Sequence, residues 1–184
     1  KTRTPGNMTQ IGFCCNCLFT PVRAASGTRD NEGRLVACEH DTRRVTRREY
    51  DGRWTVLADT YEGKSLNAPN DAAVHADGSV WFTDPGYGIL WPYEGHAATP
   101  EQPNRVYRVD GATDRISAVA DGPMHRPNGI CFSPDYDKVY IVDSGASDGP
   151  QYAANIIEFD VSPDGAMATS PRVLADFAPG FTDG

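Results

Sequence analysis

An all-β fold of repeated blades is the class that this 184-residue chain predicts, and three observations predict it. A short apolar strand ending on an acid is spelled three times, as Leu35-Val36-Ala37-Cys38-Glu39, Val80-Trp81-Phe82-Thr83-Asp84 and Val139-Tyr140-Ile141-Val142-Asp143. Each is followed by a partner segment at 44–47, 105–108 or 155–158, and then by a closing segment of similar letters at 55–59, 118–121 or 173–176. No stretch shows sustained helical periodicity. The first strands start 45 and 59 positions apart. Repeats of roughly 40–50 residues holding several strands each are the signature of a β-propeller.

Taken in order, residues 1–25 share nothing with the repeat and are expected to be irregular, while 26–184 read as a partial propeller. Asn31-Glu32-Gly33, Asp51-Gly52, Asp77-Gly78, Asp110-Gly111 and Asp164-Gly165 mark turns between strands, because glycine takes positive φ without a steric cost. Two inserts interrupt the spacing. Residues 85–103, rich in Gly, Pro and aromatics, predict a packed surface loop, and 144–153 a smaller one. Loops on one face of such a fold often surround its binding site. About three and a half blades fit, and propellers close with roughly four to eight. An open arc would leave sheet edges unpaired. The chain is therefore expected to be a piece of a longer polypeptide.

The net charge of −8, with scattered acids, repels phosphate backbones and argues against a nucleic-acid partner. No apolar run approaches the roughly 18 residues of a membrane span, so no membrane partner is expected. Residues 11–22 lack the order of a secretory signal, which favours a cytoplasmic location unless a missing N-terminus directs the chain to the periplasm. Five cysteines, Cys14, Cys15, Cys17, Cys38 and Cys131, make an odd and irregular set that does not suit a disulfide framework. The Cys14/Cys17 pair has no second pair to complete a structural zinc site.

A second repeat carries the chemistry. Pro69-Asn70-Asp71 precedes the Val80 strand, Pro127-Asn128-Gly129 precedes the Val139 strand, and Thr182-Asp183-Gly184 stands where a third copy belongs. Asn70 lies 11 residues before Trp81 and Asn128 lies 12 before Tyr140. Inner strands of a propeller converge on one channel, so Asn70, Asn128 and Asp183 are expected to meet there. Two amides and a carboxylate suit a hard divalent cation. Such an ion polarises a carbonyl, and the carboxylate can deprotonate water. Asn-Gly and Pro-Asn are also ordinary turn signals, so the weight rests on their repetition in register.

Three segments together resemble the SMP-30/gluconolactonase family: Asn67-Ala68-Pro69-Asn70-Asp71, residues 78–85, and Arg126-Pro127-Asn128-Gly129 with its continuation to Asp135. Gly27-Thr28-Arg29-Asp30, Gly33-Arg34-Leu35-Val36 and Cys38-Glu39-His40 resemble its bacterial gluconolactonase-like members. The resemblance implies a six-bladed propeller, of which about three and a half blades are present, with one divalent cation in the channel and hydrolysis of lactones. It implies calcium first, with zinc, magnesium or manganese as alternatives. By position it makes Asn128 and Asp183 metal ligands, Asp183 the general base, and Asn70 a contact to substrate or to the metal's water. The family's first-blade glutamate, within Glu-Gly-Pro, has no match here. An arginine carried by some animal members two positions before the Asn70 equivalent is Ala68.

The expected activity is metal-dependent opening of a small-molecule lactone, a sugar lactone giving a hydroxy acid. A non-catalytic binding propeller, a strictosidine-synthase-like enzyme and an inactive fragment are the alternatives. Ser144 lacks a G-x-S-x-G elbow, so a serine hydrolase is not expected. His40 is expected at the surface or in a hydrogen-bonded structural role, and His75, His96 and His125 have no partners at metal-ligand spacing. Trp81, Phe82 and Tyr140 read as core between blades. Asp84 and Asp143 read as acids that hold blades together through backbone hydrogen bonds, with a place at the channel mouth as the alternative, and Arg43, Arg44, Arg47 and Arg48 as a solvated strand face.

Overall fold

The computed structural model describes residues 24–120, 122–180 and 182–183. Residues 1–23, with Cys14, Cys15 and Cys17, lie outside them, as do Asp121, Phe181 and Gly184. Three antiparallel four-stranded meanders follow one another along the chain, the first a sheet of its own and the second and third joined into one eight-stranded sheet by a single parallel pair, Ala120 with Ala168. The first is β1 (Ala24–Arg29), β2 (Leu35–Glu39), β3 (Arg44–Arg48) and β4 (Trp54–Ala58). A two-stranded hairpin, β5 (Thr60–Tyr61) and β6 (Lys64–Ser65), leads to the second: β7 (Ala72–Val74), β8 (Val80–Asp84), β9 (Arg105–Val109) and β10 (Ile116–Ala120). The third is β11 (Pro127–Phe132), β12 (Lys138–Asp143), β13 (Asn155–Val161) and β14 (Ala168–Asp176). These are blades of a propeller. The three acid-ended segments are β2, β8 and β12, and the amide motifs lead into or open the inner strands β7 and β11. Strand β1 begins at Ala24, two residues before the expected boundary.

Burial explains why the second strands read as continuous apolar runs. All five residues of β8 are buried. Successive side chains of a strand point to opposite faces, so the middle blade supplies two cores. Val80, Phe82, Tyr107 and Val109 pack with Val36, Cys38 and Val45 of the first blade. Trp81 and Val106 pack with Ile130, Val139, Ile141, Ile157 and Phe159 of the third. The rings meet in preferred geometries, Phe82 stacked on Tyr107 at 5.5 Å and Trp81 edge-on to Phe132 at 5.3 Å. Tyr140 is half-buried and lines an apolar groove with Val142, Ile156 and Leu174 on the face turned away from the second blade.

Two side chains stitch the inner strands together. Asp71 accepts a hydrogen bond from Ser26 Oγ of β1 at 2.8 Å and another from the Ile130 backbone N–H of β11 at 3.0 Å. Thr83 Oγ1 donates to the Asn128 carbonyl at 2.5 Å and accepts from the Asp71 N–H at 3.1 Å. One carboxylate therefore touches all three blades. The arginine run is paired as well as solvated. Arg44 meets Glu39 at 2.6 Å, Arg47 meets Glu49 at 2.9 Å, and Arg43 Nε donates to the Leu66 carbonyl at 2.7 Å. Among the described residues no helix is long and apolar enough to cross a membrane.

Removing the Asp71 carboxylate deletes both inter-blade hydrogen bonds. Hydrogen bonds to a charged group contribute about 1.5–3 kcal/mol each, so Asp71→Ala is expected to lower unfolding free energy by about 3–6 kcal/mol in urea titrations. A change below about 0.5 kcal/mol would show that the stitch is not structural.

Candidate active site

The two amides reach matching points because two strand-ending carboxylates hold the chain that precedes them. Fully buried Asp84 accepts the backbone N–H of Asn67 at 2.8 Å and of Ala68 at 2.6 Å. Equally buried Asp143 accepts those of His125 at 2.9 Å and Arg126 at 2.7 Å. In each blade the bound N–H groups lie three and two positions before the amide, Asn70 or Asn128. Asp84 and Asp143 thus hold backbone within a blade, where the sequence expectation had them joining blades, and neither lines the cavity shared by Asn70 and Asn128. Burial pushes the Asp84 carboxyl up to about 6, against the two N–H groups that favour its charged form. Glu39, at the equivalent end of β2, behaves differently and gathers the side chains of Thr42, Arg44 and Thr46.

The structure brings Asn70, Asn128 and Asp183 to a single cavity of about 560 Å³. Its other lining residues include His40, Tyr87, Tyr93, Glu94, Ser144, Ser147 and Thr182. Buried Asn128 uses its amide NH2 twice, donating to Ser144 Oγ at 3.0 Å and to Asp183 Oδ1 at 3.1 Å. Ser144 Oγ in turn donates to the Thr182 carbonyl at 2.7 Å, and Thr182 Oγ1 donates to the Asp143 carbonyl at 2.8 Å. This chain of bonds holds Asp183 against Asn128 and commits the Ser144 proton, which suits positioning and not nucleophilic attack. The Asn128 amide oxygen accepts no hydrogen bond among the described residues.

His40 takes the hydrogen-bonded structural place that was one of its two expectations, and not the surface one. It is buried in the cavity wall, with Nε2 3.4 Å from Asn70 Nδ2 and Nδ1 3.6 Å from Glu94 Oε2. Burial lowers the imidazole to about 4, so it is neutral at pH 7 and the Glu94 contact is not an ion pair there. Glu94 arrives on the first insert, which folds into a 3-10 turn at Tyr87–Ile89 and returns across His40. Close approach requires two glycines. A Cβ on Gly88 would stand 2.5 Å from His40 Cβ, and one on Gly95 would stand 2.3 Å from the Gly88 carbonyl oxygen. Tyr87 Oη reaches Ser147 Oγ of the second insert at 3.3 Å, and the Arg126 guanidinium lies over the Tyr87 ring at 5.5 Å.

The remaining histidines make pairs outside the cavity lining. His75 meets Asp77 at 3.0 Å, exposed His96 meets Asp41 at 3.0 Å, and His125 meets Asp148 at 2.7 Å while stacking on Tyr152. Among the described residues no group of three or more His, Cys, Asp or Glu side chains is placed to hold a metal.

The model of the SMP-30/Gluconolactonase/LRE-like region matches residues 10–184. The chain belongs to this family. It is 31% identical over 155 residues to a gluconolactonase of Zymomonas mobilis, an alignment covering 83% of this chain and 40% of the relative. With a lactonohydrolase of Aspergillus oryzae it shares 35% over 95 residues, covering 52% of this chain and 21% of that protein. Among solved structures, a gluconolactonase from Xanthomonas campestris superposes with a TM-score of 0.76 at 35% identity, covering 86% of this chain and 50% of that one. The chain thus spans half or less of the length of these family relatives.

A neutral buried His40 ties stability to pH. Its folded pKa lies below the unfolded value of 6.5, so its contribution is whole above 6.5 and is lost as pH falls toward about 4. The loss is about 2–3 kcal/mol. Urea titrations at pH 7 and pH 4 are expected to show wild type losing that much more stability than His40→Phe; parallel losses would contradict a buried neutral ring.

Proposed function

We propose that the complete protein hydrolyses a small lactone in this cavity, with Asp183 as general base and Asn128 as the group that orients it. The observation that carries this reading is the Asn128–Asp183 contact at 3.1 Å in a cavity that also contains Asn70. Its support from relatives is the gluconolactonase and lactonohydrolase names borne by proteins 31% and 35% identical.

A lactone carbonyl is attacked by water at its carbon, and the water must lose a proton as the C–O bond forms. A carboxylate within hydrogen-bond reach of that water accepts it, an effect worth about 10²–10⁴-fold. The tetrahedral centre then collapses, the ring C–O bond breaks, and the departing ring oxygen takes a proton to give a hydroxy acid. Asp183 serves as the base in the first step and as the proton donor in the second. Asn128 restrains the carboxylate, and Asn70 contacts the substrate.

A divalent cation fits the donor chemistry in kind. Asp183 offers a carboxylate, and Asn128 offers an amide oxygen that no donor among the described residues occupies. Calcium takes roughly six to eight oxygens, so these two side chains are part of a shell. When bound, the cation would supply positive charge for the oxygen of the polarised carbonyl.

In the full-length protein, Asp183→Asn is expected to lower kcat for δ-gluconolactone at least about 100-fold with an unchanged circular dichroism spectrum. Wild-type turnover by this variant would overturn the base assignment. A chelator is expected to abolish activity reversibly, with added calcium restoring it; full activity after chelation would remove the cation from the scheme.

A further inference from the structure

We propose that Tyr87 is a further catalytic residue, its phenol O–H donating a hydrogen bond to the lactone carbonyl oxygen as that oxygen gains charge. The inference rests on lactone hydrolysis as proposed above and adds a donor that the scheme there does not contain.

When water adds to a carbonyl carbon, the π pair moves onto the carbonyl oxygen, and an aimed O–H or N–H stabilises that charge. Asp183 takes the water's proton but, as a carboxylate, begins with no donor of its own. Among the described residues the side-chain donors around it are largely committed. Both N–H bonds of the Asn128 amide go to Ser144 and Asp183. The Ser144 proton goes to the Thr182 carbonyl, and the Thr182 proton to the Asp143 carbonyl. Tyr93 turns its hydroxyl to the Glu94 carboxylate, and Asn70 turns its NH2 toward His40. Tyr87 and Ser147 differ. Their oxygens lie 3.3 Å apart, so one hydroxyl serves the other and one proton of the pair is left for the cavity that both residues line.

Tyr87 is the better of the two to carry that proton. A phenol is far more acidic than an alcohol and so makes the stronger donor. The Arg126 guanidinium lies over the ring at 5.5 Å, and its positive charge favours a phenol oxygen that gives up proton density. Arg126 itself is held in place. Its Nε donates to Asp148 Oδ2 at 2.8 Å, its Nη1 donates to the Pro85 carbonyl, and its backbone N–H is bound by Asp143 at 2.7 Å. Pro85 begins the first insert and Asp148 lies in the second, so one guanidinium joins the loops that bring Tyr87 and Ser147 together. Gly86, at φ 80°, admits the left-handed turn between Pro85 and Tyr87. Burial raises the phenol above its usual range, against the pull of Ser147, Ser144 and Arg126, so the proton stays on its oxygen at pH 7. The group therefore donates without transferring its proton, and Asp183 still returns the water's proton to the departing ring oxygen.

The test compares full-length wild type, Tyr87→Phe and Ser147→Ala on δ-gluconolactone and on dihydrocoumarin, whose ring oxygen leaves as a phenolate. Tyr87→Phe keeps the ring beside Arg126 and removes only the hydroxyl. Its kcat is expected to fall about 100-fold on both lactones, with KM within about threefold of wild type. Ser147→Ala breaks the same contact but spares the phenol proton, so its loss is expected to be about tenfold smaller. Equal losses in the two variants would make the contact a structural tie between inserts and overturn the inference. So would wild-type kcat in Tyr87→Phe, or a loss carried by KM alone. A loss confined to δ-gluconolactone would move the phenol proton to the leaving oxygen and overturn the carbonyl assignment, since a phenolate departs without an acid. Wild type that fails to open δ-gluconolactone would overturn the proposed function itself, an outcome distinct from active wild type with an equally active Tyr87→Phe.

Discussion

The site depends on a pair of buried carboxylates that never touch the cavity lining. Asp84 and Asp143 each close the second strand of a blade and hold two backbone N–H groups just upstream of the inner strand. A buried carboxylate without donors would be costly, and an N–H without an acceptor would be nearly as costly. Each satisfies the other, which fixes where the chain turns inward. Asn70 and Asn128 follow at the same offset and so reach equivalent points of adjacent blades. Asp71 then draws the three inner strands together, so that residues from separate blades share one space.

Much of this architecture was legible in the sequence because propeller strands announce themselves by repetition. The acid-ended runs correspond to β2, β8 and β12, within one residue at each end. The inner strands were harder to read. β7 has only three residues, and the amide motif masks the strand behind turn-like letters.

The candidate site was legible where its residues belong to the repeat. Asn70, Asn128 and Asp183 do share a cavity, as their register implied. His40 and Glu94 were not legible, since their meeting depends on how the 85–103 insert folds back. Close glycine packing sets that path, and no periodic pattern encodes it. Cues existed nevertheless: Gly88 and Gly95 lie in the insert, and His40 directly follows a strand-ending acid. Ser144 also acquires its role only in three dimensions, as the bridge between Asn128 and Thr182.

The most direct test is a crystal structure of the full-length protein with a lactone analogue bound. The ligand's carbonyl-equivalent carbon should sit within reach of the Asp183 carboxylate, with Asn70 in contact with the ligand. An analogue seated away from these residues, or a cavity divided so that Asp183 and Asn70 face separate spaces, would contradict the shared site.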